Sequence, residues 1–198
     1  MIKNIVFDMG NVLLDCDNER TLNRFCRTQE AKDIIRRELF AGREWIEGDL
    51  GNITDAERLE LVSRRVPKRY YEELRLCALY WTECILPMKG AREFLDDMRK
   101  SGRGVYVLSN ASDRFYEYFP RFYDMDLFDG IVVSSDLHII KPDVRIYGYL
   151  LEKYGLNADE CLFIDDRREN VQGAREAGMR AALFENNYNE IRKMIESN

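Results

Sequence analysis

The apolar run near the N-terminus, which ends in a carboxylate, constrains the fold of this chain more than any other feature. Residues 4–13 read NIVFDMGNVL, so that β-branched and aromatic residues lead directly to Asp8 and Gly10. Such a run is typical of a buried strand. In open α/β sheets, ligands bind beyond the carboxyl ends of the strands, which is where Asp8 would lie. Gly10 would let the backbone approach a ligand closely.

Three later apolar runs also lead to polar residues, namely Ser109-Asn110, Lys141-Pro142 and Asp165-Asp166. Each pair is commonplace on its own, as a turn, a surface dipeptide or the start of a helix. All of them follow strand-like segments, however, as Asp8 does. The pattern therefore predicts that four polar clusters meet at one edge of a sheet.

The second half of the chain alternates between strand-like and helical segments. Strands are expected over residues 104–108, 131–134, 161–164 and 180–184, with amphipathic helices between them. This alternation predicts an α/β fold with a doubly wound, Rossmann-like parallel sheet.

Residues 17–83, by contrast, show helical spacing only, with a capping-box pattern from Thr54 to Glu57. The first strand must still join the sheet, because a separate N-terminal helical domain would leave it without a partner. We therefore predict a catalytic core formed by residues 1–14 and 88–198, with an inserted α-helical cap over residues 15–87 that lies over the crevice.

The amino-acid composition argues against several classes of binding partner and of catalytic site. The formal net charge is −6, which argues against nucleic acid or an anionic membrane. No apolar run approaches the roughly 20 residues that a bilayer requires. The five cysteines form no CxxC pair, which is typical of reduced thiols, and we expect a cytoplasmic protein. A single histidine argues against a Ser-His-Asp triad or a multi-histidine metal site.

The residues of the four polar clusters could serve one reaction together. A carboxylate such as Asp8 can act as a nucleophile and form an aspartyl phosphate. Asp165 and Asp166 offer hard oxygen ligands that, together with Asp8, suit Mg²⁺. Lys141 is a compact cation for developing negative charge, and Ser109 and Asn110 can hold phosphoryl oxygens, so the predicted chemistry is phosphoryl transfer.

In their order along the chain, these clusters resemble the four sequence motifs of the haloacid dehalogenase-like hydrolase superfamily, and the resemblance spans the whole chain. The helical insertion resembles the cap of the subfamily whose cap follows the first motif. The phrases FDMGNV, LSN, KPD and FIDD look closest to sugar-phosphate phosphatases that act on glucose 1-phosphate.

This resemblance implies a role for each matching residue. Asp8 would be the nucleophile and Lys141 the charge stabiliser. Mg²⁺ would be bound by Asp8, the Gly10 carbonyl and Asp166, and Asp165 would lie behind these ligands or reach the metal through a water. The implied substrate-binding residues of the core are Asn11, Ser109 and Asn110. The implied partner is a small phosphorylated metabolite, and we expect a monomer or weak homodimer.

One position departs from the family pattern. Phosphatases of the superfamily usually carry a second aspartate two residues after the nucleophile, where this chain has Gly10. That aspartate is a general acid and base, a role worth about 10²–10⁴-fold in rate. A leaving group that departs easily, such as an anomeric hydroxyl, is the favoured explanation. The alternative is another proton donor, either a cap carboxylate such as Glu47 or a hydroxyl of the substrate.

The cap is expected to set specificity. Arg43, Trp45 and Glu47 lie between Gly42 and Gly48, and a Trp face with charged neighbours would suit a sugar ring. The alternative for Trp45 is packing against a neighbouring helix. Another aromatic group is assigned to the cap core or to an oligomer contact; its members are Tyr70, Tyr71, Tyr80 and Trp81.

Together these features predict a Mg²⁺-dependent phosphatase that hydrolyses a sugar phosphate, such as glucose 1-phosphate, through an aspartyl phosphate. Two alternatives remain at this stage. One is a metal-independent 2-haloacid dehalogenase that uses the same nucleophile. The other is a catalytically inactive phosphate-binding or regulatory protein, which the glycine at position 10 suggests.

Overall fold

The computed structural model describes residues 1–197. Its centre is a five-stranded sheet in which every neighbouring pair of strands is parallel. The strands are β1 Asn4–Phe7, β4 Gly104–Ser109, β5 Gly130–Val133, β6 Cys161–Asp165 and β7 Arg180–Leu183, in the spatial order β5-β4-β1-β6-β7. The first strand is central, as its apolar sequence requires, and the predicted α/β class with a parallel sheet is confirmed.

Helices cover both faces of the sheet. Those of the core are α6 Ala91–Lys100, α7 Phe115–Tyr118, α8 Val144–Tyr154, α9 Arg168–Glu176 and α10 Tyr188–Glu196. Alternate residues of β1 point to opposite faces: Ile5 and Phe7 pack in the cluster that contains residues of α6, α7 and α10, whereas Val6 packs with residues of α8 and α9. The sheet is therefore doubly wound.

The remaining helices lie between β1 and the rest of the core. They are α1 Asn18–Phe25, α2 Gln29–Ile35, a π-helix Arg36–Phe40, α3 Arg43–Asp49, α4 Asp55–Ser63 and α5 Tyr71–Tyr80. They enclose an apolar cluster of their own that includes Leu22, Leu39, Val62 and Leu74. The predicted capping box of Thr54 and Glu57 opens α4. We call these helices, with the segments that connect them, the cap.

Two short strands join the cap to the core. β2 (Leu14–Asp15) pairs antiparallel with β3 (Leu86–Pro87), so the entry and exit of the cap lie side by side. Neither strand was expected from the sequence, because two-residue strands carry no periodic signal. We propose the division into a core of residues 1–14 and 88–198 and a cap of residues 15–87.

None of the helices in the described chain, residues 1–197, combines the length and the apolar composition that crossing a membrane requires.

Candidate active site

The carboxyl edge of the sheet brings the predicted polar residues together. Asp8 follows β1, Asp165 ends β6, and Lys141 lies in the segment after β5, before a cis peptide bond to Pro142. Lys141 Nζ lies 2.6 Å from Asp8 Oδ1 and 2.8 Å from Asp165 Oδ2. Residues more than 130 positions apart thus share one ion-paired cluster, because parallel strands end at the same edge.

Lys141 is buried, and its ammonium is held by three acceptors. Besides the two carboxylates, Nζ donates to the Leu108 carbonyl oxygen at 2.8 Å. Burial on its own would lower the pKa of Lys141, but the charges of Asp165 and Asp8 outweigh burial and raise this pKa. The side chain therefore stays protonated and presents a fixed positive charge beside Asp8.

Asp165 is fully buried, and it orients Lys141. Its carboxylate accepts from the Arg167 backbone N–H at 2.8 Å and from Asn170 Nδ2 at 3.0 and 3.1 Å, in addition to Lys141. Asp166, one residue further on, lines the adjacent cavity instead. The two neighbouring aspartates therefore differ: Asp165 fixes the lysine, while Asp166 is open to a ligand.

The three aspartates form a group that fits a divalent metal. One carboxylate oxygen each from Asp8, Asp165 and Asp166 lies within 4.8 Å of the other two. Burial raises the pKa of Asp8 and that of Asp166, and the charge of Asp165 adds to both shifts. Three carboxylates facing one ammonium leave an excess of negative charge, which a hard dication such as Mg²⁺ would neutralise.

Asn11 and Gly10 complete the predicted first motif. Asn11 has a positive φ of 54°, and its Nδ2 donates to Asp166 Oδ2 at 2.9 Å. This contact orients the open aspartate, and Asn11 also lines the cavity. Gly10 lines the cavity as well, and metal binding through its carbonyl stays a prediction.

The side chains of Ser109 and Asn110 make different contacts, although the sequence predicts the same role for both. Both ends of the Asn110 side-chain amide bond the Lys141 backbone: Oδ1 accepts from its N–H at 2.8 Å, and Nδ2 donates to its carbonyl at 3.0 Å. Asn110 therefore positions the lysine segment, and its contact with phosphate stays a prediction. Ser109 Oγ, at the end of β4, is buried with no hydrogen-bond partner among the described residues.

A cavity of about 550 Å³ lies between this cluster and the cap. One wall is aromatic: the ring centroids of Trp45 and Trp81 are 5.1 Å apart, and those of Trp81 and Tyr118 are 5.4 Å apart. Trp45 therefore lines the cavity and also packs against its neighbours, as both interpretations of the sequence had it. Trp81, which we had assigned to the cap core or an oligomer contact, is also part of the wall.

Arg43 and Glu47 lie elsewhere. Among the described residues, neither lines the cavity; Arg43 Nε pairs with Glu47 Oε1 at 3.3 Å, and Glu47 Oε2 accepts from Asn52 at 2.8 Å. The reason is helical geometry: positions 45 and 49 of α3 share one face, and positions 43 and 47 share another. Substrate binding by Arg43 or Glu47 is thus a prediction that this arrangement does not support.

Sequence reasoning missed several lining residues, namely Asn18, Phe40, Ile46, Asp49, Arg167 and Asn170. Asp49 had one available signal, since it lies between Gly48 and Gly51 and glycines permit close approach to another segment. A Cβ added at Gly51 would lie 2.6 Å from the Ser135 carbonyl oxygen of the core. The others carry no motif of their own.

Comparison with known proteins identifies relatives with this architecture. The chain is 28% identical over 179 residues to a sesquiterpene phosphatase of Aspergillus oryzae, covering 89% of this chain and 87% of the relative. It is 25% identical over 206 residues to a D-ribitol-5-phosphate phosphatase of Bacteroides thetaiotaomicron, covering 94% and 93%.

The fold has solved counterparts as well. One is a HAD family enzyme of Bacteroides thetaiotaomicron in complex with magnesium and inorganic phosphate, with a TM-score of 0.70, 23% identity, and coverage of 92% of this chain and 94% of that one. The model of the haloacid dehalogenase-like hydrolase family matches residues 2–178. With residues 2–178 matched and Asp8, Lys141 and the acid cluster assembled at the sheet edge, this protein belongs to the haloacid dehalogenase-like hydrolases.

Proposed function

We propose that this hydrolase is a Mg²⁺-dependent phosphatase that acts on small phosphate monoesters through an aspartyl phosphate on Asp8. The observation that carries the proposal is the buried contact of Lys141 with Asp8 and Asp165, beside an Asp166 that is open to the cavity. A nucleophilic carboxylate, a fixed cation and spare oxygen ligands meet there, as phosphoryl transfer requires.

In the proposed reaction, an Asp8 oxygen attacks phosphorus in line with the leaving oxygen. Lys141, already hydrogen-bonded to Asp8 at 2.6 Å, stabilises the negative charge on the phosphoryl oxygens. The unpartnered hydroxyl of Ser109 would donate to one of those oxygens. After the alcohol product leaves, water attacks phosphorus. This step restores the Asp8 carboxylate and releases inorganic phosphate.

The metal would be held by Asp8 and Asp166, with Asp165 behind them. When bound, Mg²⁺ supplies charge neutralisation that lets the anionic nucleophile and the anionic phosphate approach each other. The relatives named as phosphatases support the phosphatase activity, and the solved counterpart in complex with magnesium and inorganic phosphate supports the metal.

We propose a sugar phosphate, such as glucose 1-phosphate, as the substrate. The cavity that the acid cluster opens into is also lined by Trp45 and Trp81, which pack against each other, and by the polar residues Asn18 and Asp49. Such a wall suits the apolar face of a sugar ring, while the polar groups can bond its hydroxyls. On the compositional grounds given above, we also propose a cytoplasmic monomer or weak homodimer.

Removing the metal distinguishes the proposed phosphatase from the two alternatives, a metal-independent dehalogenase and an inactive binding protein. We expect the protein with Mg²⁺ to release inorganic phosphate from members of a sugar-phosphate panel, and we expect chelation by EDTA to abolish release until Mg²⁺ is restored. Without a dication, the excess negative charge beside Asp8 repels the incoming phosphate. The measurement is colorimetric phosphate release across the panel, with 2-chloropropionate as a parallel substrate.

Two outcomes contradict the proposal. Chloride release from 2-chloropropionate that survives EDTA, with no phosphate release, identifies a metal-independent dehalogenase. Phosphate binding by calorimetry without release from any panel member identifies a binding or regulatory protein.

A further inference from the structure

The glycine at position 10 leaves the proposed reaction without its usual proton donor, and the cavity lining narrows the replacements. Among the described residues, the carboxylates that line the cavity are Asp8, Asp49 and Asp166. Asp8 is taken as the nucleophile, and Asp166 is held by Asn11 in the metal group. Asp49, on the cap side, has neither role.

The other titratable groups of the cavity suit proton donation poorly. Burial raises the pKa of the Cys16 thiol to about 12, and burial raises the pKa of Tyr118 well above its usual value. Burial lowers the pKa of Lys141, but its two carboxylate partners raise it by more, so that the net shift is upward. Groups whose pKa lies far above neutrality are weak acids at the working pH of an enzyme.

Asp49 is fixed over the cavity by contacts between cap and core. Its backbone carbonyl accepts from Ser134 Oγ at 2.5 Å, and the next carbonyl, of Leu50, lies 2.8 Å from His138 Nδ1. In addition, Arg114 Nη1 of the core donates a hydrogen bond to Asp55 Oδ2 of α4 at 2.8 Å. These contacts hold the end of α3 and the start of α4 against the core, and Asp49 lies on the cavity face of α3, one turn after Trp45.

The electrostatic surroundings of Asp49 keep its proton available near neutral pH. Burial raises the pKa of Asp49 to about 7; Arg58 of α4 and Arg167 of the core oppose the rise, and Asp55 and Asp8 add to it. A carboxyl with this pKa can donate a proton and accept one back in the same cycle. Asp49 and Asp8 line the same cavity.

We propose, on the basis of the phosphatase function above, that Asp49 is the general acid and base of the reaction. As the Asp8 oxygen bonds phosphorus, the bond from phosphorus to the leaving oxygen breaks, and that oxygen keeps the electron pair and takes the proton of the Asp49 carboxyl. The resulting Asp49 carboxylate then accepts a proton from the water that attacks the aspartyl phosphate. Phosphate leaves Asp8, and Asp49 is protonated again.

The test compares leaving groups in Asp49→Asn. For a sugar phosphate with an alkyl leaving group, we expect kcat to fall about 10²–10⁴-fold, because the alkoxide must leave unprotonated. For 4-nitrophenyl phosphate, whose leaving group needs no proton, we expect a rapid burst of one nitrophenolate per active site followed by slow turnover. The burst arises because aspartyl phosphate still forms but has lost the base that activates water.

A pH profile provides a readout that a merely structural role would not change. In the wild type, kcat for the sugar phosphate should decline as pH rises through about 7, because Asp49 loses its proton there. This decline should be absent from Asp49→Asn. Adding Gly10→Asp to the variant should restore turnover, since a Cβ at Gly10 would meet only Asp8 Oδ2, at 3.9 Å, which is ordinary van der Waals contact.

Two variants serve as references. Glu60→Gln removes an exposed cap carboxylate paired with Arg64 and should behave as the wild type. Glu47→Gln tests the carboxylate suggested by the sequence. Equal loss on both substrates without a burst, no loss at all, or the leaving-group pattern in Glu47→Gln instead of Asp49→Asn overturns the assignment of Asp49. A wild type that releases no phosphate from any substrate overturns the proposed function itself.

Discussion

Asp8→Asn is expected to lower phosphatase turnover by about 10⁴-fold or more, because the amide cannot attack phosphorus and no other nucleophile is positioned by Lys141. The variant should remain folded. Lys141 keeps Asp165 and the Leu108 carbonyl as acceptors, and the amide oxygen of the new Asn side chain can still accept a hydrogen bond from its ammonium. The measurements are kcat with Mg²⁺ and the midpoint of thermal unfolding.

The exposed aspartate Asp159 offers a matched control. Asp159→Asn should retain both the activity and the stability of the wild type. If Asp8→Asn turned over at a rate comparable to this control, the covalent mechanism would be wrong, even though the fold and the ion-paired cluster would stand.

Lys141→Met is expected to damage both stability and catalysis. The change leaves Asp8 and Asp165 buried without their cation, and breaking a buried ion pair from one side costs about 3–5 kcal/mol of the free energy of unfolding. The loss of charge stabilisation should lower kcat by about 10²–10³-fold as well. Urea denaturation and steady-state kinetics measure the two effects separately.

The stability loss in Lys141→Met should depend on pH in a defined direction. Without the lysine, the pKa of Asp8, which burial already raises to about 7, rises further, so the folded state holds the proton of Asp8 to higher pH. The pH-dependent part of the deficit therefore appears as pH rises above about 7, where Asp8 ionises in the wild type but stays protonated in the variant. Lys100→Met, at an exposed position, should show neither the deficit nor its pH dependence. A Lys141→Met protein that is as stable as this control near neutral pH would contradict the account.

The core could be anticipated from the sequence because its signals are local. The apolar run before Asp8, and those before Ser109 and Asp165, each predict a strand, and parallel strands must end at one edge. That rule brings Asp8, Ser109 and Asp165 to one edge without knowledge of any long-range contact, whereas Lys141 lies in the loop beyond β5. Gly102 and Gly178, which follow α6 and α9, both have positive φ, as is typical of a glycine just after a helix end.

The cap side of the cavity could not be anticipated in the same way. Which face of α3 meets the core depends on contacts between distant segments, such as that of Ser134 with the Asp49 carbonyl. Periodicity shows that α3 is a helix but does not show that Asp49 faces the cavity and Glu47 does not. Trp81 has the same difficulty, because its helical spacing fits a cap core as well as a cavity wall.

The bond between Asn110 and the Lys141 backbone is a third case. A Ser-Asn pair after a strand predicts polar groups at the sheet edge, but the loop that carries Lys141 folds back over Asn110 and occupies its amide. The loop conformation depends on packing against neighbouring elements, which no local pattern reports. The structure therefore shows that Asn110 positions Lys141, whereas a contact of Asn110 with phosphate stays a prediction.

The central claim, that Asp8 becomes covalently phosphorylated, has a direct test. The protein with Mg²⁺ is mixed with a hydrolysed sugar phosphate, quenched in acid during turnover and digested, and the peptide that contains residues 4–13 is examined by mass spectrometry. We predict a phosphoryl adduct on Asp8 that is absent from Asp8→Asn and disappears when the substrate is exhausted. Phosphate that accumulates with no adduct on Asp8 at any quench time, or an adduct on a different residue, would contradict the account.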